Sequence, residues 1–237
     1  VELFEKEMKL PLKGIIFPVS NAAPGSEQDI NKTIYTQPAL FCYEFSLAML
    51  LKASGITPAV LIGHSIGEIV AAAYANVFSL EDAVKLVSAR CSLMQNLPIP
   101  GQMASVFLPV EEVRAKLKDH QQLVSIAAVN APGSVVISGD GKTIDLLTQQ
   151  FTDAGVKVLA LKVSHAFHSP LMDPMLKEFK TVVSRFKYSA PDIQIISNLT
   201  GANASDEMTS PNYWVKQVRQ SVLFADGITT ILSSGKT

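Results

Sequence analysis

Four uninterrupted apolar residues, Ala59-Val60-Leu61-Ile62, run directly into Gly63-His64-Ser65-Ile66-Gly67, and a stretch rich in small helix formers follows at once. A short, wholly apolar run reads as a strand buried on both faces. Ile66 to Asn76, with Ala71, Ala72, Ala73 and Ala75, reads as the helix that leaves it. The five residues between fit the Gly-X-Ser-X-Gly nucleophile elbow, a strand turning sharply into a helix. The bend forces the serine into a strained backbone conformation, and the flanking glycines remove Cβ atoms that would clash. The Ser65 hydroxyl then stands at the end of the strand, beside unspent helix N–H groups. The Ile66 amide is the nearest candidate to hold an oxyanion there. A plain glycine-rich turn with a capping serine is the simpler alternative. The strand before and the helix after favour the elbow.

The rest of the chain suits one large α/β unit with an insertion. Its 237 residues, 48% hydrophobic, are enough to bury a large core. Pro38 to Lys52 carries apolar residues at helical spacing, and Leu80 to Gln95 reads as a helix capped by Ser79. After the break at Pro98-Ile99-Pro100-Gly101 the rhythm changes. Met103–Leu108 reads as a strand and Val110–His120 as a helix. Leu123–Val129 and Ser134–Ser138 read as two more strands, Lys142–Ala154 as a helix and Val156–Val163 as a strand. That β-α-β-β-α-β order is the ferredoxin-like arrangement. We therefore expect an α/β-hydrolase-like large subdomain with a parallel sheet, formed by residues 1–101 and 163–237, and an inserted ferredoxin-like small subdomain over 102–162. The second part of the large subdomain is expected to hold a helix over Leu171–Phe186, a strand over Gln194–Ser197 and a helix over Tyr213–Val218.

Composition narrows the function classes. With 20 basic and 21 acidic residues the formal charge is −1, and no basic stripe offers a grip on nucleic acid. No uncharged run approaches the ~20 residues needed to cross a bilayer, and Val1 to Leu10 lacks a signal-peptide core. Two cysteines, Cys42 and Cys91, are too few for a disulfide framework and too far apart for a metal knuckle. The expectation is a cytoplasmic protein with no metal, no nucleic acid and no membrane among its partners.

Gly63-His64-Ser65-Ile66-Gly67-Glu68 resembles the signature of malonyl-CoA:acyl-carrier-protein transacylases and polyketide synthase acyltransferase domains. The likeness extends to Tyr35-Thr36-Gln37-Pro38-Ala39-Leu40, Val129-Asn130-Ala131-Pro132, Val135-Val136-Ile137-Ser138-Gly139, Ser197-Asn198-Leu199-Thr200-Gly201 and Tyr213-Trp214-Val215. It continues into Val222-Leu223-Phe224-Ala225-Asp226-Gly227, nearly the whole chain. The resemblance implies an acyltransferase in polyketide or fatty acid synthesis. Such an enzyme takes a malonyl unit from malonyl-CoA onto its own serine and passes it to the phosphopantetheine thiol of an acyl carrier protein. It holds no bound cofactor and works beside neighbouring synthase domains.

A serine needs a base. Of the four histidines, His120 ends a polar helix and His64 adjoins the serine, where packing or positioning is its expected role. The pattern does not choose between His165 and His168 in Ser164-His165-Ala166-Phe167-His168-Ser169-Pro170. The resemblance matches the catalytic histidine to His168, with a backbone carbonyl in place of a triad carboxylate. The matching stretch, Val215-Lys216-Gln217, makes Gln217 the expected donor of that carbonyl. The resemblance also implies that Arg90 binds the malonyl carboxylate, which a guanidinium can grip with two parallel hydrogen bonds. By volume, Phe167 in the segment His165-Ala166-Phe167-His168 would exclude an α-methyl branch, discriminating by ~1–3 kcal/mol.

The chain departs from the family pattern at both ends. No Gly-Gln-Gly segment precedes Val1-Glu2-Leu3-Phe4, and no Gly-Pro-Gly follows Ile231. A piece of a longer protein is expected. Two other readings share parts of this pattern: a serine esterase or thioesterase, and a catalytically silent docking fragment.

Overall fold

The structure, a computed structural model, describes residues 1–18, 30–204 and 206–235. The C-terminal end, where a Gly-Pro-Gly segment would have stood, lies partly outside them. The described helices are α1 (Glu2–Met8), α2 (Leu12–Ile16), α3 (Thr33–Ala53), α4 (Ile66–Tyr74), α5 (Leu80–Gln95), α6 (Val110–Leu117), α7 (Gly141–Asp153), α8 (Leu176–Val183), α9 (Pro211–Arg219) and α10 (Phe224–Ser233). The strands are β1 (Leu61–Ile62), β2 (Gly101–Val106), β3 (Val124–Ala131), β4 (Ser134–Asp140), β5 (Val158–Ala160), β6 (Ile195–Ile196) and β7 (Asn203–Ala204).

Among the described residues the strands form two sheets, in a mixed α/β fold. β1 and β6 pair in parallel, Leu61 opposite Ile195, and β7 adds an antiparallel edge to β6. Among the described residues the parallel pairing of named strands is this one short pair, smaller than the sheet expected for a large subdomain. The other sheet has the order β3-β4-β2-β5, entirely antiparallel. With α6 and α7 crossing between its strands, this is the ferredoxin-like arrangement. Val106, Val135, Ile137, Ile144, Leu147 and Phe151 fill its core.

The larger core gathers α4, α5, α8 and α9. Every residue of α4 is buried, as its small side chains permit. The α5 cap forms as read: Ser79 Oγ accepts the Asp82 N–H at 3.1 Å. Three elements differ from expectation. α3 begins at Thr33, so Pro38 lies inside it, where burial of Phe41 and Gln37 outweighs one lost backbone bond. The segment read as a helix from Leu171 opens with a 3-10 turn, Pro170–Met175, because Pro170 and Pro174 withhold backbone donors. α10, unread in the sequence, closes the described chain and packs on β3.

Candidate active site

Ser65 adopts φ 53°, ψ −103°, a region that costs a non-glycine residue about 1–3 kcal/mol. Gly63 makes the bend possible. A Cβ on it would lie 2.0 Å from the Gly67 carbonyl carbon, whereas one on Gly67 would meet only the end of the Glu44 side chain at 3.1 Å. The strict requirement therefore falls on Gly63. Ile66 is the first residue of α4, so the helix leaves its N–H unspent beside the serine.

The chain returns from the small sheet and brings His168 to the bend. Ser65 Oγ stands 2.8 Å from His168 Nε2, and His168 Nδ1 stands 2.9 Å from the Gln220 carbonyl oxygen. With Nδ1–H donating to that carbonyl, Nε2 is left as the acceptor for the serine proton. His168 also has a positive φ, 57°. The carbonyl is Gln220's, not that of Gln217 as expected. Gln217 lies within α9, while Gln220 is the extended cap residue beyond its end, where its oxygen is free to turn towards the ring. The Gln217 carbonyl exerts only a weaker pull on the imidazole. The Gln217 side chain instead donates its Nε2–H to the Ser65 carbonyl at 2.7 Å.

Arg90 reaches the same point from α5, where burial is nearly complete at 2% exposure. Its Nη2 donates to Ser65 Oγ at 3.0 Å and its Nη1 to Gln37 Oε1 at 2.6 Å. Its Nε, buried, has no partner among the described residues. Burial lowers the guanidinium to about 10, still protonated near neutral pH. Around it lies a cavity of roughly 230 Å³, lined among others by Gln37, Leu40, Ile66, Val163 and Phe167. A larger groove of about 510 Å³ runs past Arg114 and Arg219 but touches neither Ser65 nor His168. The smaller cavity is the one that Ser65 and Arg90 line.

Two residues offered as substrate contacts sit elsewhere. His165, buried, turns its Nδ1 to Thr33 Oγ1 at 3.2 Å and does not line the cavity. Further along the same tight segment, Phe167 lines the cavity and His168 turns to Ser65 Oγ. His64 is exposed: its Nε2 pairs with Asn130 Oδ1 at 2.9 Å, and its ring lies 5.4 Å from that of Phe224. That contact ties the elbow to β3.

Behind the elbow is a polar network that the sequence reading did not name. Glu68, wholly buried, accepts from the Asn198 backbone N–H and the Tyr213 hydroxyl, both at 2.6 Å. Asn198 Oδ1 accepts the Ser65 N–H at 2.8 Å, and Asn198 Nδ2 donates to the Gly63 carbonyl at 2.6 Å. A lone carboxylate inside Ile66-Gly67-Glu68-Ile69-Val70, otherwise apolar, is the one signal that could have pointed there. Burial pushes the Glu68 carboxyl up to about 7.

Burial also drives His168 down to about 3, reinforced by the Arg90 charge and resisted by the Gln220 carbonyl. The free enzyme therefore keeps a neutral base well below pH 6. Acylation at limiting substrate, followed by rapid quench, is expected to show no fall as pH drops through 6.5; a half-loss near 6.5 contradicts this. The linked effect on stability has two opposed parts. Between pH 6.5 and 3 the unfolded His168 binds a proton that the folded one refuses, so stability is lost as pH falls. Glu68 has its stabilising contribution below pH 4.5 and loses it as pH rises towards 7. The two oppose each other between 4.5 and 6.5. Glu68→Gln should uncover stability that rises with pH in that window, read from urea midpoints.

Among the described residues no group of His, Cys, Asp and Glu could hold a metal, and no helix is long and apolar enough to cross a membrane.

A family model for the acyl transferase domain matches residues 16–237. The chain is 43% identical over 225 residues to polyketide synthase GfsA of Streptomyces halstedii, covering 94% of this chain and 3% of the synthase. It superposes on the acyltransferase domain from the second module of the salinomycin polyketide synthase with a TM-score of 0.91 at 42% identity. That match covers 100% of this chain and 54% of that one. The malonyl CoA-acyl carrier protein transacylase of Burkholderia pseudomallei matches with a TM-score of 0.85 at 27% identity, over 99% of this chain and 79% of its own.

Proposed function

The chain belongs to the acyl transferase domain family, and from that premise we propose that it moves a malonyl unit from coenzyme A to the thiol of an acyl carrier protein through an ester on Ser65. The observation that carries the reading is the meeting of three groups at one oxygen. Ser65 Oγ lies 2.8 Å from a neutral imidazole nitrogen and 3.0 Å from a buried guanidinium. His168 takes the hydroxyl proton as Oγ attacks the thioester carbon, and the Ile66 N–H receives the developing oxyanion. The carbonyl re-forms, the C–S bond breaks, and the imidazolium returns its proton to the departing coenzyme A thiolate. In the second half, His168 takes the proton of the carrier's phosphopantetheine thiol. That sulfur displaces Ser65, which recovers the proton.

Arg90 gives the pocket its preference for an acid. With a malonyl carboxylate bound, the guanidinium donors now spent on Ser65 Oγ would turn to the substrate, and Gln37 would hold the other arm. A buried cation has no use in a neutral-ester hydrolase, which weighs against the esterase reading. Phe167 and Leu40 narrow the cavity, consistent with an unbranched malonyl unit. The small unit, proposed over residues 102–162, reaches the site through Asn130 and Lys162. Its partners are proposed to be an acyl carrier protein and neighbouring synthase domains, in the cytoplasm, with no resident cofactor.

Intact-mass measurement after mixing with malonyl-CoA tests the reading. One malonyl group should appear on the chain and leave again when carrier protein is added. Free malonate in place of malonyl-carrier would mark a hydrolase, and no adduct would remove the proposal.

A further inference from the structure

One helix touches both halves of the reacting pair. From inside α9, Gln217 donates to the Ser65 carbonyl at 2.7 Å. Three residues on, the Gln220 carbonyl accepts from His168 at 2.9 Å. The opposite end of the Ser65 residue is gripped by Asn198, whose amide takes the Ser65 N–H and gives a bond to the Gly63 carbonyl. The Asn198 end rests on a further support: Glu68 Oε1 accepts the Asn198 backbone N–H and the Tyr213 hydroxyl, both at 2.6 Å. Tyr213, also on α9, completes the hold, with its hydroxyl 2.8 Å from Ser197 Oγ.

We propose that Asn198 and Gln217 are positioning residues of the acyl transfer. They clamp the strained Ser65 backbone on its two sides and tie it to the helix end that orients His168, so that the nucleophile and its base keep their separation. This rests on the reading of Ser65 as nucleophile and His168 as base.

The hydrogen-bond count itself separates positioning from mere satisfaction of buried groups. The Ser65 carbonyl already accepts the Glu68 N–H within α4, at 3.1 Å. The Gln217 bond is thus a second one, not the rescue of an orphan acceptor. Its geometric effect is to fix the plane of the peptide that follows Ser65. Asn198 likewise spans the bend, holding Gly63 and Ser65 with the two ends of one planar amide, which sets the sharpness of the turn. Rotation of either peptide would swing Oγ away from Nε2, and a displacement of about 1 Å at a reacting atom can cost about 100-fold in rate.

The experiment uses the whole chain and two probes of Ser65. One is single-turnover acylation by malonyl-CoA; the other is inactivation by a small fluorophosphonate, which makes no use of Arg90. Gln217→Met keeps the length of the side chain and removes the donor; Asn198→Ser breaks the span. Each is expected to slow both reactions by about 10- to 100-fold, with the half-saturating malonyl-CoA concentration within about two-fold of the parent. Gln217→Asn, a shorter amide, should recover part of the Gln217→Met loss. Parent-like rates in folded Gln217→Met and Asn198→Ser overturn the clamp. So does a rate loss explained by the unfolded fraction seen in circular dichroism. Should one variant not fold, the other decides; failure of all three to fold leaves a purely structural role and overturns it too. Fluorophosphonate labelling that persists in Ser65→Ala would instead sink the nucleophile assignment and leave the clamp without its premise.

Discussion

The Ser65→Ala chain is expected to take up malonyl-CoA yet form no acyl-enzyme, with turnover reduced by about 10⁴- to 10⁶-fold. His168→Ala should come close to the same loss. The two residues act as a unit: the hydroxyl is unreactive without a base, and the base has nothing to activate without the hydroxyl. A double variant is therefore expected to lose little more than either single one. What remains would come from binding and from the oxyanion donor at the start of α4. Rapid-quench acylation with radiolabelled malonyl-CoA checks this. Additive losses, each multiplying the other, would separate the pair that stand 2.8 Å apart. Substrate affinity in Ser65→Ala has a further meaning. Arg90 Nη2 loses its bond to Oγ, so the guanidinium is freer to meet a carboxylate, and malonyl-CoA should bind at least as tightly as to the parent.

The elbow was legible because its geometry is local. An apolar strand, a glycine whose Cβ cannot be accommodated and a helix of small residues are all written within about fifteen positions, and the structure bends there with Ser65 at φ 53°. The elements of the small sheet were legible for a similar reason, since strands and amphipathic helices follow one another in chain order, whereas β2 finds its partners β4 and β5 only across long stretches of chain. What the sequence hid is assembled from distance. Asn198 lies 133 residues from the Ser65 N–H that it accepts, and Gln217 lies 152 residues from the carbonyl it binds. No periodicity joins such positions. The misplacement of the His168 carbonyl onto Gln217 has the same origin. Which of several carbonyls near a helix end is free depends on where α9 stops, and it stops at Arg219, leaving Gln220 extended at φ −89°, ψ 165°. His165 and His168 could not be ranked from their own segment because three residues of separation do not say which ring faces inward. The positive φ of His168, which turns it towards Ser65, is a tertiary outcome. The short β1 and β6 are a further case: an apolar run announces burial, but the hydrogen-bonded pairing needs a neighbour, and only two residues of each strand find one.

Arg90→Ala is expected to divide the acyl donors rather than slow them all alike. In the parent, the guanidinium is buried, carries its charge with a pKa of about 10, and spends two of its donors on neutral oxygens of Ser65 and Gln37. A neutral acyl group brought into the cavity must lie against that charge without compensating it, which disfavours acetyl. A malonyl carboxylate compensates it. Charge-assisted pairs of this kind, broken on one side when buried, cost about 3–5 kcal/mol, or from about 10²-fold to nearly 10⁴-fold. Malonyl transfer should therefore fall by that factor in Arg90→Ala, while acetyl transfer from acetyl-CoA stays within a few-fold of the parent or rises. Arg90→Lys should recover only part of the malonyl activity. A single ammonium cannot bridge Gln37 and a carboxylate with two parallel arms, and it is more costly to strip of water. The comparison is made on the donor kcat/KM with the same carrier protein, which in a two-step transfer reports only acylation of Ser65. Equal losses for malonyl and acetyl would mean that Arg90 serves Ser65 Oγ alone, through the 3.0 Å bond already present, and that the acid preference lies elsewhere in the cavity.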